Sequence, residues 1–272
     1  MIRNKNAVDI VQYPILSRFD EILHFTSTRL GGVSSGSYES LNLGKFSGDE
    51  TDNIQQNFNR FLSEINLPKE QFHLPYQTHG DSVFKIDADF ILQNESVHRE
   101  KLHGVDALIT NLPNQCIGVS TADCVPVLIF DPVKKAVGAA HAGWRGTCSR
   151  IASKTVIAMQ QEFHSNPSDL VAVIGASISP DAYNVGDELI ANFENEKFDI
   201  DKIFFKKAEK HHLDLWKANK IILEEAGLKP ENIEIAGLCT FTEHQRFFSA
   251  RRLGIKSGRM VSGIMLQTKK GD

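Results

Sequence analysis

The stretch that decides the fold covers residues 121–147 and reads TADCVPVLIFDPVKKAVGAAHAGWRGT. It contains two short apolar runs, residues 125–130 and 136–141, which have the length of buried strands, and the turn signal Asp131-Pro132 separates them. Glycines follow the second run, and residues 146–163 have the apolar spacing of a helix. The stretch therefore predicts two neighbouring strands, a glycine-rich turn and a helix.

Outside this stretch, strand and helix patterns are mixed rather than strictly alternating. Strands are predicted at residues 23–28, 72–78, 82–87, 106–110, 116–122, 170–175, 233–239 and 247–249, and helices at 54–65, 186–195 and 214–226. This order favours an α+β fold, with mixed β-sheets covered by helices, over a doubly wound βαβ fold. The glycine fingerprints of dinucleotide and ATP sites are both absent from the sequence, so the sequence gives such sites no support.

Length and charge restrict the class of protein. The chain has 272 residues and no repeat or flexible linker, so we expect one domain over residues 1–272. A net charge of −4 argues against a nucleic-acid partner, because such partners usually require a basic surplus. The longest apolar runs are too short to cross a membrane. The sequence indicates no oligomeric state.

Cysteine usage points to a reducing compartment. The four cysteines form no C-x-x-C pair, and the first residues carry no long apolar stretch typical of a signal peptide. Free thiols in the cytoplasm are therefore the expectation.

Three polar segments lie at the ends of predicted strands, where functional residues are often found. They contribute His79, Cys124 and His141, which are 45 and 17 residues apart along the chain. Two imidazoles and one thiolate form a suitable three-ligand set for catalytic zinc, which keeps a fourth position for water or substrate. Each residue also has a structural interpretation, as a hydrogen-bonded histidine or a small buried cysteine.

Arg145 follows the predicted strand at residues 136–141, next to a predicted helix start. Backbone N–H groups at a helix start attract anions, and a guanidinium adds charge-assisted hydrogen bonds to phosphate or carboxylate. The alternative is that Arg145 pairs with an aspartate and that Trp144 packs in the core.

The motifs that carry a family resemblance run in order along the chain. They are TRLGGVSSGSYESLNLG, QTHGDSV, DALIT, TADCVPVLIFD, AAHAGWRGT, IGASIS, LDLWKAN, CTF and FFSARR. In this combination the chain resembles the bacterial YfiH-type, laccase-domain family, whose members are known as polyphenol oxidases, purine nucleoside phosphorylases or peptidoglycan editing factors. One departure is Ala176, where the family pattern has proline.

The resemblance implies a central β-sandwich flanked by helices, with zinc bound by His79, Cys124 and His141. It also implies phosphorolysis of adenosine, inosine, guanosine and methylthioadenosine, together with deamination of adenosine. The substrates would then be a purine nucleoside and phosphate. Candidate substrate-binding residues are Arg145 and Arg29 for phosphate, Asn42 and Gln77 for ribose or base, and Arg251 by motif alone.

Three other interpretations use the same residues. In a cysteine-type amidase that edits peptidoglycan precursors, Cys124 would be the nucleophile, His79 or His141 its base, and Asp123 would lie nearby. A multicopper oxidase is disfavoured because the chain has no H-x-H pair, although a single Cu2+ also suits two histidines and a cysteine. A structural metal would need a fourth ligand, for which Cys239 or His244 are candidates.

Overall fold

The computed structural model describes residues 7–268. The strands of this part of the chain are β1 (Ile10–Val11), β2 (Ile22–Ser27), β3 (Phe72–His73), β4 (Val83–Lys85), β5 (Ala107–Thr110), β6 (Cys116–Thr121), β7 (Val125–Asp131), β8 (Ala136–Ala142), β9 (Val171–Ile174), β10 (Asn184–Val185), β11 (Phe204–Lys207), β12 (Lys210–Leu213), β13 (Ile233–Ile235) and β14 (Met260–Leu266). The α-helices are α1 (Thr51–Glu64), α2 (Ala88–Ile91), α3 (Glu95–Lys101), α4 (Trp144–Cys148), α5 (Ile151–Phe163), α6 (Asp187–Asn195), α7 (Ile200–Ile203), α8 (Leu215–Glu225) and α9 (Ala250–Leu253).

Two mixed sheets pack face to face. One has the strand order β1-β2-β14-β6-β3 and the other the order β13-β9-β7-β8-β5-β4. Most pairs are antiparallel, whereas β3–β6, β4–β5 and β9–β13 are parallel. A small third sheet, β10-β12-β11, lies outside this pair.

The alternation of side chains along β7 shows how the layers form. Leu128 and Phe130 belong to the apolar cluster between the two large sheets, together with Ile117 of β6. Val127 and Ile129 point the other way and pack in the cluster formed with α5 and α8. Since both faces of β7 are covered, the strand is apolar throughout rather than alternating with polar residues.

The outer face of the five-stranded sheet is covered by α1. Phe58 and Phe61 of this helix share a third apolar cluster with Phe25 and Val261 of the sheet. The order of layers is therefore helix, sheet, sheet, helices. This confirms the α+β fold with a central β-sandwich flanked by helices.

The structure corrects the predicted helix at residues 146–163. Arg150 has a φ of 60°, in the left-handed region, so the segment forms two helices, α4 and α5, on either side of it. The Arg150 guanidinium pairs with Glu225 and lies 4.4 Å from the ring centre of Phe198. These tertiary contacts accompany a backbone turn that apolar spacing does not reveal.

The predicted strand at residues 247–249 is also wrong. Phe247 and Phe248 are fully buried, but they do not pair with a strand. The Phe247 N–H donates to the Glu243 carbonyl, and the Phe248 N–H donates to the Met260 sulfur. The Ser249 hydroxyl caps α9 by accepting the Arg252 N–H. Here the apolar pattern reflects burial, not strand pairing.

Other boundaries differ from the predictions by smaller amounts. The strands predicted at 72–78, 82–87 and 233–239 are shortened to β3, β4 and β13. Within residues 7–268 no helix combines the length and apolarity needed to cross a membrane. The expected single domain at 1–272 extends past the described residues at both ends and stays a prediction.

Candidate metal centre

His79, Cys124 and His141 meet at one end of the six-stranded sheet. His79 lies in the loop between β3 and β4, Cys124 in the turn from β6 to β7, and His141 on β8. One ligand atom from each residue lies within 4.8 Å of the others. Antiparallel pairing of β7 and β8 places Val125 opposite Ala142 and Pro126 opposite His141, which brings Cys124 to the histidine.

Asp106 holds the ring of His141. Its Oδ1 accepts a hydrogen bond from His141 Nδ1 at 2.7 Å, which leaves Nε2 as the ring nitrogen available to a metal ion. Strand pairing produces this contact, because Ala107 lies opposite Ala140 and the His141 N–H donates to the Asp106 carbonyl at 2.8 Å. Sequence reasoning missed Asp106, although it is the first residue of the DALIT motif.

The same carboxylate fixes the loop that carries His79. Asp106 accepts backbone N–H groups from Thr78 at 3.1 Å, from His79 at 3.1 Å and from Gly80 at 2.8 Å. His79 itself has a φ of 61°, a left-handed conformation that such bonds stabilise. One buried carboxylate thus positions both histidines.

Gly143 gives the cysteine its space. A Cβ at this position would lie 2.9 Å from Cys124 Sγ and 3.4 Å from His79 Cδ2. The glycine is therefore required by the close approach of the three segments and not by an unusual φ.

The charges within the site favour a thiolate at Cys124 and a proton on His141, and a metal ion that binds here would displace that proton. Burial alone raises the pKa of the Cys124 thiol, but the imidazoles of His141 and His79 outweigh burial and hold this pKa well below its usual value. Burial also disfavours protonated His141, yet the Cys124 sulfur and the Asp106 carboxylate raise its pKa. A thiolate beside two imidazoles is the donor set that zinc prefers, so these residues fit a metal ion.

A second buried carboxylate, Asp123, connects Cys124 to the C-terminal segment. It accepts hydrogen bonds from the Thr240 hydroxyl at 2.7 Å, the Ser249 hydroxyl at 3.0 Å and the Arg251 N–H at 2.6 Å. The backbone of the predicted site residue Arg251 therefore lies beside the candidate metal centre. Its guanidinium donates to the Asn184 carbonyl at 2.9 Å and lies 5.0 Å from the ring centre of Tyr183.

Arg145 lies on α4, two residues after Gly143. Its side chain is exposed, and its guanidinium stands 4.3 Å from the Trp144 ring without a carboxylate partner among residues 7–268. This excludes the predicted alternative of an Arg145–aspartate pair within the described residues. Because α4 has only five residues, the helix start adds little, and attraction for an anion depends on the guanidinium.

The side-chain amides of Gln77 and Asn42 are already used in hydrogen bonds within the protein. The Gln77 amide donates to the Ser120 carbonyl at 2.9 Å and accepts the Ser120 N–H at 2.7 Å. Asn42 is fully buried; its amide donates to Ser47 and Asp49 and accepts from Gly44 and Arg259. Both side chains connect backbone segments around the site.

Arg29 lies outside the cluster of metal-ligand candidates. It donates to the carbonyls of Glu39 at 2.5 Å and His244 at 2.8 Å and lies 4.8 Å from the ring centre of Phe248. With Glu39 and His244 it lines a surface cavity of about 270 Å³, to which none of the three ligand candidates contributes.

Neither candidate for a fourth ligand joins the cluster. The Cys239 sulfur accepts the Ser179 N–H at 3.4 Å, and the carbonyl oxygen of the half-buried His244 accepts a hydrogen bond from the Arg29 guanidinium. Among the described residues the group that could hold a metal consists of two histidines and one cysteine. A three-ligand set is typical of catalytic rather than structural zinc.

Comparisons with known proteins show the family of this chain. Residues 23–267 match the family described as multi-copper polyphenol oxidoreductase laccase. The chain is 43% identical to a purine nucleoside phosphorylase of Bacteroides thetaiotaomicron, over 93% of this chain and 95% of that protein. It is 36% identical to adenosine deaminase RL5 of an unknown prokaryotic organism, over 88% of this chain and 92% of that protein.

Solved structures give the same result. The crystal structure of Bacillus licheniformis hypothetical protein YfiH superposes with a TM-score of 0.87 at 32% identity, covering 96% of this chain and 97% of that one. The family match, the relatives and the shared fold confirm the resemblance of the motifs. This chain belongs to the YfiH-type, laccase-domain family.

Proposed function

We propose that this chain is a metal-dependent purine nucleoside phosphorylase that also deaminates adenosine. The observation that carries the proposal is the convergence of His79, Cys124 and His141 within 4.8 Å. The names of relatives that share 43% and 36% of their residues with it support the substrate class.

His79, Cys124 and His141 would hold the metal, and we propose zinc rather than copper. Two imidazoles and a thiolate suit both ions, but the chain lacks the H-x-H pairs of multicopper centres. When bound, the ion supplies Lewis-acid chemistry at the reacting centre. Asp106 keeps both histidines in position for it.

The exposed guanidinium of Arg145 is the proposed phosphate contact. In phosphorolysis a phosphate oxygen forms a bond to the ribose C1′ while the bond from C1′ to the purine nitrogen breaks, and the purine leaves with that electron pair. Arg145 holds the charged phosphate with charge-assisted hydrogen bonds. Arg251 and Tyr183 border the same site through Asp123.

The four cysteines are unpaired, and we place the protein in the cytoplasm, where thiols stay reduced. A thiolate donor at the site is compatible with that compartment.

One observation favours a second candidate, a cysteine-type amidase. Cys124 lies beside His141, whose Nδ1 donates to Asp106, and this is the order of nucleophile, base and orienting carboxylate in cysteine hydrolases. The two functions share residues, and they differ in whether the thiolate binds a metal or attacks a carbonyl.

The test combines metal quantification with product analysis. Protein purified without added ions is assayed for zinc and copper and incubated with adenosine, with and without phosphate. We expect about one zinc per chain, adenine release that requires phosphate, and some inosine. His79→Ala, Cys124→Ala and His141→Ala should each remove both metal and turnover, whereas His211→Ala, at a histidine bound to the surface residue Asp187, should retain them. Full phosphorolysis by a metal-free triple variant would contradict the proposal, and a trapped thioester on Cys124 would favour the amidase.

A further inference from the structure

Three aromatic rings form a stack on the surface of the protein. Tyr76 and His103 lie parallel, with ring centres 4.8 Å apart and an angle of 9° between planes. Phe46 meets Tyr76 edge to face, with centres 4.5 Å apart and an angle of 73°. We call Phe46, Tyr76 and His103 the surface stack.

The surface stack is exposed, unlike most large aromatic side chains of this protein. Phe46 is 68% exposed and Tyr76 is 38% exposed, and His103 is also exposed. Aromatic rings at the surface are less stabilising than rings buried in the core. A cluster of exposed aromatic rings is therefore a candidate recognition surface.

Two members of the stack lie on the segments that build the metal centre. Tyr76 precedes the ligand candidate His79 by three residues, and His103 precedes Asp106 by three residues. The Tyr76 N–H donates to the Leu102 carbonyl and the Gly104 N–H to the Tyr76 carbonyl, so these segments run together. Three residues span at most about 11 Å, so the Cα atoms of Tyr76 and His103 lie within that distance of the Cα atoms of His79 and Asp106.

Phe46, the third member of the stack, lies on a different segment of the chain. Phe46 lies two residues after Gly44, whose Cα packs so closely on Arg259 that an added Cβ would lie 2.7 Å from Arg259 Cγ. Burial lowers the pKa of Arg259, and the negative charges of Cys124 and Asp123 oppose this shift, so the guanidinium lies within electrostatic range of Cys124. Two independent segments thus bring the stack towards the same site.

Hydrogen-bond recognition of the base by the nearby amides is disfavoured. Both heteroatoms of the Gln77 amide bond to Ser120, and the Asn42 amide is buried and fully used by its neighbours. The open ring of Phe46 instead offers a flat π surface. A purine presents a large π face whatever its exocyclic groups, and stacking of this kind tolerates different bases.

We propose that the surface stack is the platform for the purine base, with Phe46 making the contact and Tyr76 and His103 supporting it. This inference rests on the proposed function, because it assigns the base-binding part of the same site. It implies that 6-amino and 6-oxo purine nucleosides bind with similar dependence on Phe46.

The test compares Phe46→Ala, Phe46→Leu and Phe46→Trp with wild type. Leu92→Ala is the control, since Leu92 is another large apolar residue at the surface, with 83% exposure against 68% for Phe46. The KM for adenosine and for inosine, kcat, zinc content and the Kd of adenosine by calorimetry are measured. We expect Phe46→Ala and Phe46→Leu to raise KM and Kd about tenfold, as loss of base stacking does, with kcat and zinc unchanged. Phe46→Trp and Leu92→Ala should stay within about twofold of wild type.

The outcomes separate this inference from the proposed function. Active Phe46→Ala with wild-type KM and Kd overturns the platform and leaves the function intact. Equal weakening by Leu92→Ala also overturns it, because the effect would not be local. If wild type binds adenosine without converting it and Phe46→Ala weakens binding, the platform stands and the function fails. If wild type binds no adenosine, the platform is overturned.

Discussion

Asp106 Oδ1 lies 2.7 Å from His141 Nδ1, and both side chains are almost fully withdrawn from solvent. The same carboxylate accepts the backbone N–H groups of Thr78, His79 and Gly80. One residue that does not belong to the ligand set therefore fixes the ring of one histidine and the backbone of the other. Outer partners of this kind set how tightly a metal is held.

Asp106→Asn is expected to weaken metal binding by about 10- to 100-fold, because an amide cannot accept all four N–H groups. Its NH2 group would face backbone donors, which should release the His79 loop. Zinc affinity is measured by competition with a chelator, and circular dichroism monitors the fold.

The control for Asp106 is Asp81→Asn. Asp81 follows Gly80 and pairs with Lys154 at the surface, where an ion pair contributes little. Asp81→Asn should keep wild-type zinc affinity. Equal affinities for wild type and Asp106→Asn would show that the carboxylate does not position the ligands.

The ligand candidates could be identified from the sequence because residue type and motif point to them directly. Asp106 could not, since its role depends on β5 lying beside β8 in one register, with Ala107 opposite Ala140. Strand pairing between residues this far apart leaves no local pattern. The convergence of His79 with Cys124 likewise needed the fold.

Helices and strands were predicted best where the apolar pattern of the sequence is the pattern typical of the backbone conformation that the segment adopts. β7 and β8 match closely, because a continuous apolar run is typical of a strand covered on both faces. The helix break at Arg150 and the irregular backbone of Phe247 and Phe248 were not predicted, because tertiary contacts decide the backbone conformation there. The central strand β14 was missed because Ser262 and Gly263 interrupt its apolar run.

Gly143→Ala should lower metal occupancy and turnover at least about tenfold. The new methyl group would lie 2.9 Å from Cys124 Sγ, closer than packed atoms allow, so the sulfur or the backbone must move. Misplacement of a reacting group by about 1 Å is enough for a 10²-fold loss. Gly80→Ala is the control, because its Cβ would meet the nearest atom at 3.4 Å, an ordinary contact. Normal zinc content in Gly143→Ala would refute the steric argument.

His24 makes stability depend on pH. The residue is 2% exposed, its Nε2 accepts the Tyr13 N–H at 2.9 Å, and burial lowers its pKa to about 4. An unfolded histidine has a pKa of about 6.5. Between about pH 4 and about pH 6.5 the unfolded state therefore binds more protons at this residue than the folded state does. The contribution is fully present above about pH 6.5 and is lost as the pH falls towards about 4.

The measurement for His24 is urea unfolding at several pH values. Between about pH 7.5 and about pH 5, wild type should lose about 2 kcal/mol more of its free energy of unfolding than His24→Gln, whose side chain does not titrate. The difference between the two proteins removes the contribution of other titrating groups. Parallel curves for both would show that His24 is not the source.

Arg145→Gln separates the two proposed reactions. Phosphorolysis needs phosphate and deamination needs only water, so loss of a phosphate contact should affect the first reaction alone. We expect the KM for phosphate to rise at least about tenfold, the effect of losing one charge-assisted hydrogen bond, while inosine formation from adenosine is unchanged. Arg99→Gln, at an exposed arginine paired with Glu95 on α3, is the control and should change neither rate. If Arg145→Gln slows both reactions equally, the guanidinium acts on a feature that the reactions share, and the phosphate assignment is wrong.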